Sequence, residues 1–205
     1  MGAAVDNTSK TFTIKDYLDA VQRIYIGYYQ RPADPGGLIH WAGILASNGG
    51  NLTEIIEEFT NSLESSNLYG HIDSSNISTV VNDIYNALFG RDAETEGRDY
   101  YVNGFNSGQF TPTTIMLKVL DGAKNEDLQS VKSKLSAANL FTMTIDPDLD
   151  GSNFQVTYVG EGDAIAGRNF LSSPYAPSVK VPTQVETTAY IKANIADHGD
   201  GILTQ

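Results

Sequence analysis

The feature that most constrains this chain is that it repeats itself. Val21-Gln22-Arg23-Ile24-Tyr25-Ile26-Gly27-Tyr28-Tyr29-Gln30-Arg31-Pro32-Ala33-Asp34 aligns without gaps with Val81-Asn82-Asp83-Ile84-Tyr85-Asn86-Ala87-Leu88-Phe89-Gly90-Arg91-Asp92-Ala93-Glu94. Gly97 and Tyr101 follow at the same offset of 60 residues from Gly37 and Trp41. After a small gap, Asn48-Gly49-Gly50-Asn51-Leu52-Thr53 matches Asn106-Ser107-Gly108-Gln109-Phe110-Thr111. Two copies of one unit must bury equivalent faces, so the expected arrangement is a tandem packed on itself.

The period inside each copy is helical. Tyr17, Leu18, Val21, Ile24, Tyr25, Tyr28 and Tyr29 recur at three- and four-residue steps, and Val80, Val81, Ile84, Tyr85, Leu88 and Phe89 do the same. Thr13-x-x-Asp16 resembles a capping box at the start of the first helix. That helix should stop near Gln30, because Pro32 disfavours helical geometry at Arg31, and its counterpart should stop at Gly90. A second helix carries Trp41, Ile44 and Leu45, or Tyr100, Tyr101 and Phe105; a third opens at Thr53, or at Thr111 with Pro112 as its first residue. The pattern therefore predicts a mainly α protein of two tandem three-helix units, 1–75 and 76–145, packed as one helical domain. A further helix is expected near Glu126 to Leu140.

Residues 146–205 read as a short extension of loops and helices. Phe154, Val156 and Tyr158 alternate as a strand would, although an irregular approach to a helix fits equally well. Gly162 to Leu171 has helical character, Ser172 to Pro182 is a proline-rich loop, and Thr183-x-x-Glu186 is a capping box for a last helix.

Charge limits the partners. With 13 Lys and Arg against 25 Asp and Glu the chain carries −12, which argues against nucleic acid or an anionic membrane surface. Only 19% of residues are charged, so the acidity reflects scarce bases. Without cysteine there is no disulfide scaffold, thiolate metal site or cysteine nucleophile. No apolar run approaches the ~20 residues that span a bilayer. The first residues, Met1 to Asn7, lack the basic and apolar regions of a signal peptide, so an exported chain would be a mature fragment or would leave by a route without an N-terminal signal.

The run Ile24-Tyr25-Ile26-Gly27-Tyr28-Tyr29-Gln30-Arg31-Pro32-Ala33-Asp34-Pro35-Gly36-Gly37-Leu38-Ile39-His40-Trp41 resembles a bacterial extracellular repeat. That repeat is a domain of unknown function, itself similar to phycobilisome linker repeats: a tyrosine-bearing helix, Gly-Arg-x-Pro-Asp-x-x-Gly, then an aromatic. The resemblance covers roughly residues 13–143, and the second copy departs from it at Asp92, Glu94 and Tyr101. Such repeats stand at the N-termini of S-layer proteins and in secreted proteins with calcium-binding glycine-rich repeats. The resemblance implies type I secretion, an extracellular place on the bacterial surface, and a helical anchor holding lipopolysaccharide O-polysaccharide with calcium. Neighbouring copies in a lattice would be further partners. The competing expectation is a linker-like protein–protein assembly module.

Several residues could carry such binding. Arg31 with Asp34, and Arg91 with Glu94, could grip a sugar hydroxyl or a calcium ion; the plainer reading is that each acid caps the next helix while the arginine ties the loop together. Tyr28, Trp41 and Tyr100 could stack on pyranose faces, though helical spacing places at least one ring of each aromatic pair in the core. Asp146-x-Asp148-x-Asp150-Gly151 has the alternate-acid spacing of a calcium loop, with Glu161 and Asp163 near enough to complete it. Against this, Thr157 stands where an EF-hand needs its glutamate; a solvated acidic turn is the alternative. No nucleophile, metalloprotease or phosphate-loop motif is present, so an enzyme is not expected.

Overall fold

The apolar stripe of the first copy becomes α1 (Leu18–Tyr29), whose Val21, Ile24, Tyr25 and Tyr28 lie in the core. In this computed structural model, residues 12–149, 158–172 and 180–195 are described. Among them are ten α-helices, one 3-10 turn and no strand. The Thr13–Asp16 box exists, with the Thr13 amide donating to the Asp16 carboxylate at 2.7 Å, but it heads the 3-10 turn Ile14–Asp16 rather than α1. The side chains close on themselves within one turn, and α1 starts two residues later.

Helix α1 ends as expected at Gln30, which takes the left-handed conformation (φ 57°). Asp34 then caps α2 (Pro35–Ser47), its carboxylate accepting from the Gly37 amide at 2.7 Å with Pro35 as first helical residue. After α3 (Thr53–Asn61) comes a helix the sequence pattern did not show, α4 (Leu63–Tyr69), capped by Ser62. The second copy repeats the order: α5 (Ile77–Phe89), α6 (Thr95–Asn106), α7 (Ile115–Asp121) and α8 (Asn125–Ile145). Each unit thus has four helices, not three, and the expected helix near Glu126 is the fourth of the second unit, extended to 21 residues. Helix α7 begins at Ile115 rather than at Thr111, because Thr111 and Thr114 exchange backbone and hydroxyl bonds in a separate turn.

The two units share one apolar core. Helix α8 packs on both α1 and α5, and the extension, α9 (Gly160–Ser172) and α10 (Gln184–Asn194), lies against α8. The cluster runs unbroken from Val21 to Ile195. Of the expected strand, Phe154 and Val156 lie outside the described residues, and Tyr158 is a buried residue just before α9. The Thr183–Glu186 capping box forms at the head of α10. No helix among the described residues is long and apolar enough to cross a membrane.

Candidate functional site

The conserved pattern between the two copies resolves into one loop built twice. In each, an amide side chain from the first helix accepts the backbone N–H of the loop alanine: Gln22 from Ala33 at 3.2 Å and Asn82 from Ala93 at 2.9 Å. In each, the arginine donates to the carbonyl of the next residue and lies over the tyrosine six residues earlier, Arg31 at 5.2 Å from the Tyr25 ring and Arg91 at 5.4 Å from Tyr85. Each arginine then forks onto a carboxylate of the fourth helix. Arg31 meets Glu64 at 2.7 and 3.0 Å; Arg91 meets Asp127 at 2.9 and 2.7 Å. Burial pulls the Arg31 pKa down, but its bonds to Glu64 more than reverse that, so the guanidinium stays charged.

These loops are therefore structural joints, and the acids serve as the plainer reading held, with one difference. Asp34 caps α2, whereas Glu94 makes no capping bond and instead reaches Arg91 at 2.8 Å. The surroundings differ more. Over the first loop lies α9: Arg168 donates to Glu64 at 2.9 Å and to Glu161 at 2.8 Å, and the Tyr158 ring sits 5.4 Å from the Arg31 guanidinium. Among the described residues nothing equivalent covers the second loop. The Arg31 side chain is 12% exposed and that of Arg91 37%.

The five residues expected to meet a glycan are thus not brought together. Arg31 is enclosed, and Arg91 is committed to Asp127 and Glu94. Trp41 is half-buried, 6.0 Å from Phe59. Tyr28 is 3% exposed, its hydroxyl donating to the Thr113 carbonyl across the seam between units, so its ring is not free to stack on a sugar. Tyr100 alone stands out, at 57% exposure, while Tyr101 goes inside.

Along that seam lies a cleft of about 480 Å³ between α3, α4 and the turn before α7. Tyr28 and Tyr69 form its floor; burial pushes both phenols above their ordinary range. Tyr69 is fixed by donating to the Gly27 carbonyl at 3.0 Å and accepting from Gln30 at 2.9 Å. Asn61, Ser66, His71 and Thr113 line the mouth, and the side chains of Asn61, His71 and Thr113 make no hydrogen bond among the described residues. Among the described residues no carboxylate, lysine or arginine lines the cleft. A wall of hydroxyls, amide and imidazole over aromatic rings suits a hydroxyl-bearing ligand, and the volume is that of a small-molecule site.

The acids expected to hold calcium are placed apart in role. Asp146 is buried at the end of α8, Asp163 is buried and accepts from the Val159 amide at 2.9 Å, and Glu161 pairs with Arg168. Asp148 lies in the turn after α8, and Asp150 is outside the described residues. Among the described residues no three His, Asp or Glu side chains are grouped to hold a metal.

Comparison with known proteins adds one finding. Residues 57–128 match the model of a family described as a domain of unknown function, DUF4214. That span runs from within α3 through α7 to the first turn of α8, so it holds both Glu64 and Asp127 and the whole second loop. No curated protein matches the chain, and neither does any solved structure. Sequence reasoning missed Glu64, Asp127 and Arg168, which lie 33, 36 and 104 residues from the groups they bind. It also missed the polar mouth of the seam, for which the cluster Thr60-Asn61-Ser62 and Ser65-Ser66 was the one available signal.

Proposed function

We propose that this chain is a non-enzymatic anchoring module of a bacterial surface or secreted protein, holding it to the cell by binding lipopolysaccharide O-polysaccharide. The observation that carries the reading is the seam cleft, whose polar lining over two tyrosines fits a sugar residue better than a phosphate, a metal or a peptide carboxylate. In this reading calcium bridges the −12 chain to anionic parts of the glycan, where direct contact would repel. The cleft is floored by aromatics and has no acid in its described lining, so in this reading the bridging ion belongs elsewhere on the surface.

The test is calorimetric titration of the chain with O-polysaccharide from its source strain, in calcium and in EDTA. Saturable binding that falls at least tenfold in Asn61→Ala/His71→Ala is the expected result. Equal binding by wild type and variant refutes the cleft, and no binding in either buffer refutes the anchor. A second reading, assembly with protein neighbours, draws on exposed Met143 and Val185, which flank the bond between Thr144 and Gln184. Calcium-driven oligomers without glycan binding would favour it.

A further inference from the structure

The second unit carries a hollow beside Tyr85. In the first unit the space beside Tyr25 is filled by Trp41 and Phe59, whose rings lie 6.0 Å apart, with Phe59 only 4.8 Å from Tyr25. Because the Thr111–Thr114 turn precedes α7, its buried run Ile115, Met116, Val119 takes the place of Ile55, Ile56, Phe59, two residues beyond the register of Thr53 with Thr111, so the second unit places Tyr101 and Val119 where the first has a tryptophan and a phenylalanine. Both replacements are smaller. A pocket of about 330 Å³ remains, floored by Tyr85, Tyr101 and Phe110.

Its charge has changed as well. Lys118 stands where the first unit has Glu58, and Lys124 joins it at the rim. Neither lysine makes an ion pair among the described residues, in a chain where bases are outnumbered almost two to one. Among the acids near the pocket, Asp127 and Glu94 pair with Arg91, and Asp121 pairs with Arg23 at 3.3 Å. Among the described residues no carboxylate lines the pocket itself. Lys118 and Lys124 are therefore the charged groups of its described lining.

Tyr100 supplies a platform beside them. Its ring is braced edge-on by Tyr101 at 5.1 Å and by Phe110 at 5.7 Å, yet remains 57% exposed. A braced, exposed ring next to two exposed lysines matches a ligand with one apolar face and one anionic group.

We infer that this pocket is a second carbohydrate subsite, which takes a pyranose bearing a carboxylate, of the uronic acid class. The sugar's C–H face lies on Tyr100 and its carboxylate receives the ammonium groups of Lys118 and Lys124. The inference rests on the carbohydrate reading of the chain and adds to it the charge of one sugar in the glycan. It does not rest on the seam cleft.

The experiment is titration of the full chain with trigalacturonate, maltotriose and AMP, all in EDTA so that calcium cannot bridge acid to acid. Wild type should bind trigalacturonate, bind maltotriose at this pocket at least tenfold more weakly, and lose affinity with salt. Lys118→Gln/Lys124→Gln and Tyr100→Ala should each weaken trigalacturonate at least tenfold, while Asn61→Ala/His71→Ala leaves it unchanged; all these side chains are exposed, and a melting curve checks that each variant folds. Affinity unchanged in the lysine variant, or tighter binding of AMP than of trigalacturonate, overturns the inference. Loss of trigalacturonate binding with O-polysaccharide binding intact overturns this subsite alone; failure of both ligands overturns the anchoring function with it.

Discussion

Glu64 should be the most consequential single carboxylate in the molecule. It accepts three charge-assisted bonds, two from Arg31 at 2.7 and 3.0 Å and one from Arg168 at 2.9 Å, and so joins α4 to the first loop and to α9. The three side chains are 20%, 12% and 16% exposed. Removing one partner of a buried pair costs ~3–5 kcal/mol, because the other charge is left without compensation. Partial hydration lowers that here, and Arg31 retains Asp34 at 3.8 Å, so Glu64→Gln should cost about 2–4 kcal/mol. Asp127→Asn is the internal control: Arg91 is more exposed and keeps Glu94 at 2.8 Å, so about 1 kcal/mol is expected. Urea unfolding of both variants at pH 7 reads the difference. A double-mutant cycle of Glu64→Gln with Arg168→Ala should give a coupling of about 1 kcal/mol or more. Equal costs for the two carboxylates, or zero coupling to Arg168, would refute the claim that the extension is pinned through this pair.

Three further outcomes follow from the same geometry. Lys134 is buried under α9 and donates to the Leu171 carbonyl at 2.7 Å, and burial lowers its pKa from 10.5 to about 8. Between those values the unfolded chain holds more protons, so stability should rise with pH from about 8, at most ~1.4 kcal/mol per unit. Above pH ~10 the buried Tyr28, Tyr69 and Tyr158, raised by burial, reverse the slope, since the unfolded chain then loses protons first; Lys134→Met should abolish the rise and leave the fall, read from urea midpoints against pH. Gly37→Ala drives a methyl into the Tyr25 hydroxyl and within 2.9 Å of the Asp34 carboxylate, whereas Gly97→Ala meets the Tyr85 hydroxyl at 3.1 Å, so the first should cost about 1–3 kcal/mol and the second clearly less. The melting temperatures of the pair decide it. Calcium at the turn after α8 predicts that Asp148→Ala with Asp150→Ala lowers calcium stoichiometry by one in calorimetry; unchanged stoichiometry and melting temperature would remove this loop from consideration.

Local chemistry was legible and distant chemistry was not. The stripes of α1 and α5 announce themselves because helical burial imposes a period on neighbouring residues. The Asp34 cap and the Gly90 stop are equally local. The start of α7 misleads because Thr111-Pro112 has the composition of a helix cap, while the hydroxyl of Thr114 closes a turn before the helix can begin. Arginine partners on the fourth helix leave no periodic trace, so the sequence offers Arg31 and Arg91 as loop ties without naming Glu64 or Asp127 as what they tie to. The fate of Tyr28 and Tyr100 turns on which faces the other unit and α8 cover, and that depends on packing between segments the pattern treats separately.

The places where the two copies diverge follow from one asymmetry: α9 covers the first loop and leaves the second in solvent. Pro32 touches the extension directly, its carbonyl accepting from the Tyr158 hydroxyl at 3.4 Å, and a Cβ on Gly167 would lie 3.2 Å from its ring. A charged side chain there would be buried against α9. The second copy, uncovered, has Asp92 at that position, exposed and accepting from Asn86 at 2.8 Å. Glu94 departs from Asp34 in the same direction, giving up the helix cap for a longer reach to an arginine that no Arg168 assists. Tyr101 for Trp41 and Lys118 for Glu58 extend the trend from the loop to the pocket beside it. In the first copy, covering fixes the residues to a packing role; in the second, freedom from cover permits charge and space at the surface. If that reasoning holds, Pro32→Asp should cost about 2 kcal/mol or more while Asp92→Pro costs under 1, a contrast in urea unfolding that equal losses would sink.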